Sequence, residues 1–116
     1  MSALRYNDGK PKLSRVWWGI LTPIAKVLEF GATKYDWDNW KKGLDRQELL
    51  DSLGRHVQAL MDDELHDEDS KLHHIAHILC NCMFYWFFFN KKEKLFKDGK
   101  KNWHLNHLPK IVKKYK

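Results

Sequence analysis

The sequence predicts an all-α fold, a small helical bundle, on three observations. Apolar residues recur at spacings of three and four in three separate segments, each of these follows a residue type that starts helices, and no segment alternates cleanly enough to read as a strand. At 116 residues and 14.0 kDa the chain forms one domain, because two cores of half that size would each bury too little surface to offset chain entropy. A domain this small is marginal alone, so a homo-oligomer is expected.

Nothing before Arg15 shows a regular period, and the run RVWWGIL is too short to assign. The first helix is expected to open at Thr22-Pro23, a capping residue followed by proline in the first turn. Pro23 is expected at the first helical position, and the helix should run to about Tyr35 with Ile24, Val27, Leu28, Gly31 and Tyr35 on one stripe. The loop DWDNWKKG follows and ends at Gly43. The second helix opens at Asp45, with Glu48 at capping-box spacing, and continues to about Glu64. Its stripe is Leu49, Leu50, Leu53, Val57, Leu60 and Met61. The acidic stretch DDELHDED leads into Ser70, a cap for a third helix reaching about Lys92.

The formal net charge is +6, but it is unevenly spread. Residues 1–90 hold 11 Lys+Arg against 13 Asp+Glu, while residues 91–116 hold 10 against 2. The chain therefore divides into a slightly acidic body, 1–90, and a lysine-rich C-terminal tail, 91–116. That division argues against the body as a nucleic-acid binder and leaves the tail free for weak, nonspecific contact with nucleic acid. Cys80 and Cys82, two apart on one helix, diverge and cannot pair with each other, which suggests a reduced, cytoplasmic protein. The first residues lack the apolar segment of a signal peptide, and the run Ile75 to Phe89, at roughly 15 residues, is shorter than the ~20 needed to span a bilayer.

Several polar residues stand where a helical stripe would place apolar ones. Glu64 continues the stripe of Leu60 and Val57 if the second helix persists that far, and otherwise sits in solvent. His56 lies at the edge of the same stripe and reads first as a hydrogen-bonded core residue. On the third helix His74, His77 and Asn81 are spaced three and four apart and form one polar row, opposite Leu72, Ile75, Leu79, Met83 and Trp86. His73 and Cys80 fall on another line with Phe84 and read as packing residues. The divergent cysteines argue against structural zinc. Glu29 stands off the stripe of the first helix and reads as solvent-facing.

The fragments RYNDGKPKLS, VLEFGATKY, NWKKG, GRHVQALMDDELHDED and SKLHHIAHILCN, in that order over about Arg5 to Phe89, resemble the phage-type dATP/dGTP diphosphohydrolase N-terminal domain family. That family is related to the MazG-like all-α nucleoside triphosphate pyrophosphohydrolases. The resemblance implies an oligomeric, Mg2+- or Mn2+-dependent enzyme that splits a purine deoxynucleoside triphosphate into monophosphate and pyrophosphate, in the host cytoplasm if phage-encoded. It also implies Glu29, Glu64 and Asp67 as metal ligands, Lys10, Lys12, Lys34 and Arg55 as phosphate contacts, and Tyr35, Asn39 and Trp40 as contacts to the purine. Glu29 is promoted by the resemblance alone. His56 joins His74, His77 and Asn81 as the catalytic candidates. The wider MazG-like pattern carries carboxylates where this chain reads HHIAHIL, which leaves three roles open for the histidines: metal ligand, acceptor of the water proton, or hydrogen-bond partner of phosphate. Two other readings are weighed against this one. One is a nucleic-acid-binding phage accessory protein acting through the tail, and the other is a metal phosphohydrolase of the histidine-and-aspartate cluster type.

Overall fold

The computed structural model describes residues 3–91, and within them the chain is all-α. Three helices carry the fold: α1, Leu21–Ala32; α2, Arg46–Met61; and α3, His74–Asn90. Short 3₁₀ turns occupy Leu13–Arg15, Trp18–Ile20 and Asn39–Lys42. Among the described residues the nearest thing to a strand is one isolated bridge, between His66 and His73. No helix of these residues is long and apolar enough to cross a membrane.

Helix α3 is the shared partner, with α2 packed on it most extensively and α1 next. Its buried residues are His74, Ala76, Cys80 and Phe88, spread over a broad arc because α1 and α2 pack on different sides of it. Ile75 and Trp86, expected on the apolar row, are instead exposed, because neither α1 nor α2 covers that side. Phe88 meets Leu49 of α2, and around this pair Trp40, Leu44, Phe84, Tyr85 and Phe87 close the aromatic end of the bundle.

The helix boundaries follow local chemistry more closely than the apolar stripes do. Asp45 caps α2 as expected, its carboxylate accepting from the Glu48 N–H at 3.1 Å. The far end of α2 stops three residues before Glu64. Asp63 adopts a left-handed conformation, φ 61°, while Asp63 N–H bonds the Leu60 carbonyl and Glu64 N–H bonds the Ala59 carbonyl. This is a Schellman closure with aspartate in the position glycine usually fills.

Thr22 does not cap α1, since the helix already begins at Leu21 and Pro23 falls in its first turn, where no N–H is missed. The same helix ends at Ala32 rather than Tyr35, its last carbonyls taken by Thr33, Lys34 and Tyr35 N–H groups. Ser70 does not cap α3. That role falls to His73, whose Nδ1 accepts from Ile75 N–H at 3.0 Å, because the Ser70 hydroxyl is engaged elsewhere. The third helix ends at Asn90, and Lys92 and the tail lie outside the described residues. Gly43, φ 119°, turns the chain from the 3₁₀ segment into the α2 cap, a backbone region that disfavours any side chain.

Candidate functional site

The link between α2 and α3, residues 62–73, is a closed loop stitched at its neck. His74 N–H bonds the Leu65 carbonyl, Asp67 N–H bonds Leu72, and Lys71 N–H returns to the Asp67 carbonyl, each at 2.8 Å. Lys71 takes the left-handed conformation that this return requires. The Asp67 carboxylate accepts from Ser70 N–H at 2.8 Å, so one acid is fixed by the turn it helps to build.

Against this loop the helices bring three histidines. His56 of α2 and His74 of α3 meet Nδ1 to Nδ1 at 2.8 Å. The His77 ring stacks on His56, centroids 4.5 Å apart and planes 3° from parallel. His77 Nε2 lies 2.7 Å from Ser70 Oγ and 3.9 Å from the Asp67 carboxylate. The Ser70 oxygen also accepts from Leu72 N–H. His74 is 5% exposed, and its Nε2 is sealed from solvent with no hydrogen-bond partner.

The electrostatics follow from this crowding. Burial lowers the pKa of His56, and His77, His74 and Arg55 lower it further against the pull of Asp67. Burial likewise lowers His77, with His74 acting in the same direction and Asp67 and Asp69 opposing. For Asp67 burial pushes upward but is outweighed by the hydrogen bonds from Ser70 and by His77 and His56, so the carboxyl sits below its ordinary value. His56 and His77 are thus biased toward the uncharged imidazole and Asp67 toward the carboxylate.

Next to this cluster is a cavity of about 290 Å³. Among its lining residues are Phe30, Lys34, Tyr35, Trp37, Asn39 and Trp40, so four of the expected substrate contacts share one wall. Lys34 ties the cavity to the loop through a 2.7 Å ion pair with Asp69, which raises its pKa. Asp67 is also near enough to add to that shift. Trp40 is largely committed to packing, with its ring against Phe84 and Phe87 at 4.8 Å, whereas Tyr35 and Trp37 are more than half exposed.

The remaining candidates stand apart from the cluster. Asn81 shares the helical row of His74 and His77 but turns to Ser52 of α2, Nδ2 to Oγ 3.4 Å, and lines a separate shallow groove with it. Arg55 is exposed on α2 beside His56. Lys10 and Lys12 are exposed in the segment before the first 3₁₀ turn. Glu29 is exposed on α1, and Glu64 is exposed beyond the end of α2. Among the described residues, the group of three or more potential metal donors that converges is His56, Asp67 and His74, all within 4.8 Å of one another. Sequence reasoning had Ser70 only as a helix cap and did not single out Trp37. The proximity of Ser70 to Asp67 was a usable signal, while Trp37 gave none beyond its place in an aromatic loop.

Comparison with known proteins bears on what this arrangement serves. A family model described as dATP/dGTP diphosphohydrolase, N-terminal, matches residues 2–106, so the match extends into the basic tail. A protein of Salmonella phage PMBT28 named dATP/dGTP diphosphohydrolase is 35% identical over 92 residues, covering 79% of this chain and 31% of that protein. The chain thus spans less than a third of the length of that relative. No solved structure matches.

Proposed function

The chain belongs to the dATP/dGTP diphosphohydrolase N-terminal family, and from that premise we propose that it hydrolyses a purine deoxynucleoside triphosphate to monophosphate and pyrophosphate. The observation that carries the reading is the Lys34–Asp69 bridge, which ties an aromatic cavity of about 290 Å³ to the loop that carries Asp67 and Ser70 of the cluster. The base occupies the cavity against Tyr35 and Trp37, with Asn39 at its edge. Lys34 and Arg55 meet the phosphates as the cationic contacts nearest the cluster. A water attacks the α-phosphorus, the α–β phosphoanhydride bond breaks, and pyrophosphate leaves. The water's proton passes to Ser70 Oγ as the Ser70 proton moves to His77 Nε2, 2.7 Å away. Its lowered pKa keeps His77 unprotonated and able to accept at neutral pH.

The family resemblance also calls for a divalent cation, and the acids it suggests do not fit one all-oxygen cage within the described residues. Glu29 and Glu64 are exposed on different elements, and neither joins the donor group that contains Asp67. The reaction steps above therefore use only side chains of this chain.

A homo-oligomer belongs to the same reading. Its support is the small buried core beside exposed Trp17, Trp18 and Trp86, and a sedimentation mass of one 14.0 kDa chain would remove it. The test of the function is incubation of the chain with each deoxynucleoside triphosphate, followed by product identification. Pyrophosphate from dATP or dGTP supports it. Nucleoside with inorganic triphosphate points instead to the histidine-and-aspartate type of phosphohydrolase, whose mixed donors this cluster also resembles.

A further inference from the structure

We propose that His56, His74 and Asp67 form a binding site for one first-row transition-metal dication, through two imidazole nitrogens and one carboxylate oxygen, and that the site rejects magnesium. The proposal supplies the cation that the hydrolysis calls for, so its role rests on that reading while its existence does not.

The three donors come from three elements, α2, the 62–73 loop and α3, and converge within 4.8 Å. Two ligands held about 2.1 Å from one ion lie roughly 3.0 Å apart when adjacent in an octahedral site and roughly 3.4 Å apart in a tetrahedral one. The 2.8 Å separation of the His56 and His74 Nδ1 atoms is close to the first value, so closure on an ion needs shifts of only a few tenths of an ångström there.

In its absence the pair shares one proton, and whichever ring donates it, the buried Nε2 of His74 stays unmatched. An unpartnered nitrogen on a side chain only 5% exposed is costly. A cation between the two Nδ1 atoms takes the place of the shared proton and lets both imidazoles act as neutral ligands at once.

The surroundings fix the donors as a metal site requires. Ser70 N–H holds the Asp67 carboxylate, and the His77 ring lies flat on His56 and limits its rotation. Three protein ligands leave positions open for water or phosphate oxygens.

Imidazole suits iron, nickel, copper and zinc, whereas magnesium demands oxygen ligands in near-ideal octahedral array and manganese lies nearer to it. One carboxylate among three donors cannot meet that demand. The expected order of affinity is Co2+ above Mn2+, with Mg2+ far below both.

The probe is Co2+ alone, titrated into the metal-free 116-residue chain without nucleotide and read by visible absorption and equilibrium dialysis. One tightly held Co2+ that excess Mg2+ does not displace is expected. His56→Asn and Asp67→Asn should each weaken that uptake roughly tenfold or more while the helical circular dichroism stays native. His74→Gln, a buried change, is a third variant, and if it unfolds the other two decide. These variants also separate the site from His104 and His107, which lie outside the described residues. No stoichiometric uptake, displacement by equimolar Mg2+, or native-like uptake by folded His56 and Asp67 variants overturns the proposal. Co2+ uptake without hydrolysis of any deoxynucleotide keeps the site and removes the proposed function. Magnesium-supported hydrolysis without Co2+ uptake does the reverse.

Discussion

Ser70 Oγ lies 2.7 Å from His77 Nε2, so a hydroxyl of the loop engages an imidazole on the second turn of α3. The same oxygen accepts from Leu72 N–H, and the Ser70 N–H is taken by Asp67. One small residue thereby fixes the acid and the base of the proposed reaction together. Ser70→Ala should lower kcat by roughly ten- to a hundredfold, through loss of the relay, and cost about 1 kcal/mol of stability from the lost hydrogen bonds. Steady-state kinetics beside a denaturant melt check this. An unchanged kcat in a folded variant would show that the hydroxyl only shapes the loop.

The end of α2 makes a separate prediction, away from the chemistry. Asp63 holds a left-handed backbone that glycine adopts without steric penalty. Asp63→Gly should therefore raise stability, by about 0.5–1 kcal/mol once the greater freedom of glycine in the unfolded chain is subtracted. A lower midpoint in urea would mean that the aspartate side chain contributes more than its backbone costs.

These two residues also mark how far the sequence could be read. The Asp45–Glu48 cap is a local device, three residues wide, and was legible. The stop at Met61 was not, because its signal is a left-handed residue and the chain has aspartate there instead of glycine. The row of His74 and His77 followed from helical spacing, but their meeting with His56 and Asp67 depends on how α2 and the loop pack against α3, which no single segment encodes. For the same reason the partner of Asn81 was not legible, since its amide finds Ser52 across the helix pair. Glu64 appeared interior only while α2 was extended past its actual end.

Lys34 tests the placement of substrate. Its ion pair with Asp69 is exposed at both ends, so losing it should hardly move the melting temperature. Lys34→Ala should instead raise KM for the triphosphate roughly tenfold with a smaller effect on kcat. A KM equal to that of the unmodified chain would remove Lys34 from the phosphate path.

Cys80 gives the pH dependence. Burial pushes its thiol up to about 12, whereas Cys82 is exposed. Native protein at pH 8 should thus react with a thiol reagent at Cys82 and at Cys80 only after unfolding. The unfolded chain ionises Cys80 near the ordinary value of 9.0 and the folded chain does not. Stability from this group is therefore intact below about pH 9 and lost as pH rises toward 12, by roughly 1–2 kcal/mol at pH 10. Cys80→Ala should show a correspondingly shallower alkaline loss in melts across that range, and parallel curves would contradict the buried thiol.

The central claim is that the histidine–aspartate cluster beside the aromatic cavity is where the triphosphate is cut. The most direct measurement is pyrophosphate release from dGTP and dATP by the unmodified chain and by His77→Ala, with the helical content of both recorded. The account predicts pyrophosphate and monophosphate from the unmodified chain, and a fall of roughly a hundredfold or more in a variant whose helices are intact. Near-normal turnover by folded His77→Ala would contradict it.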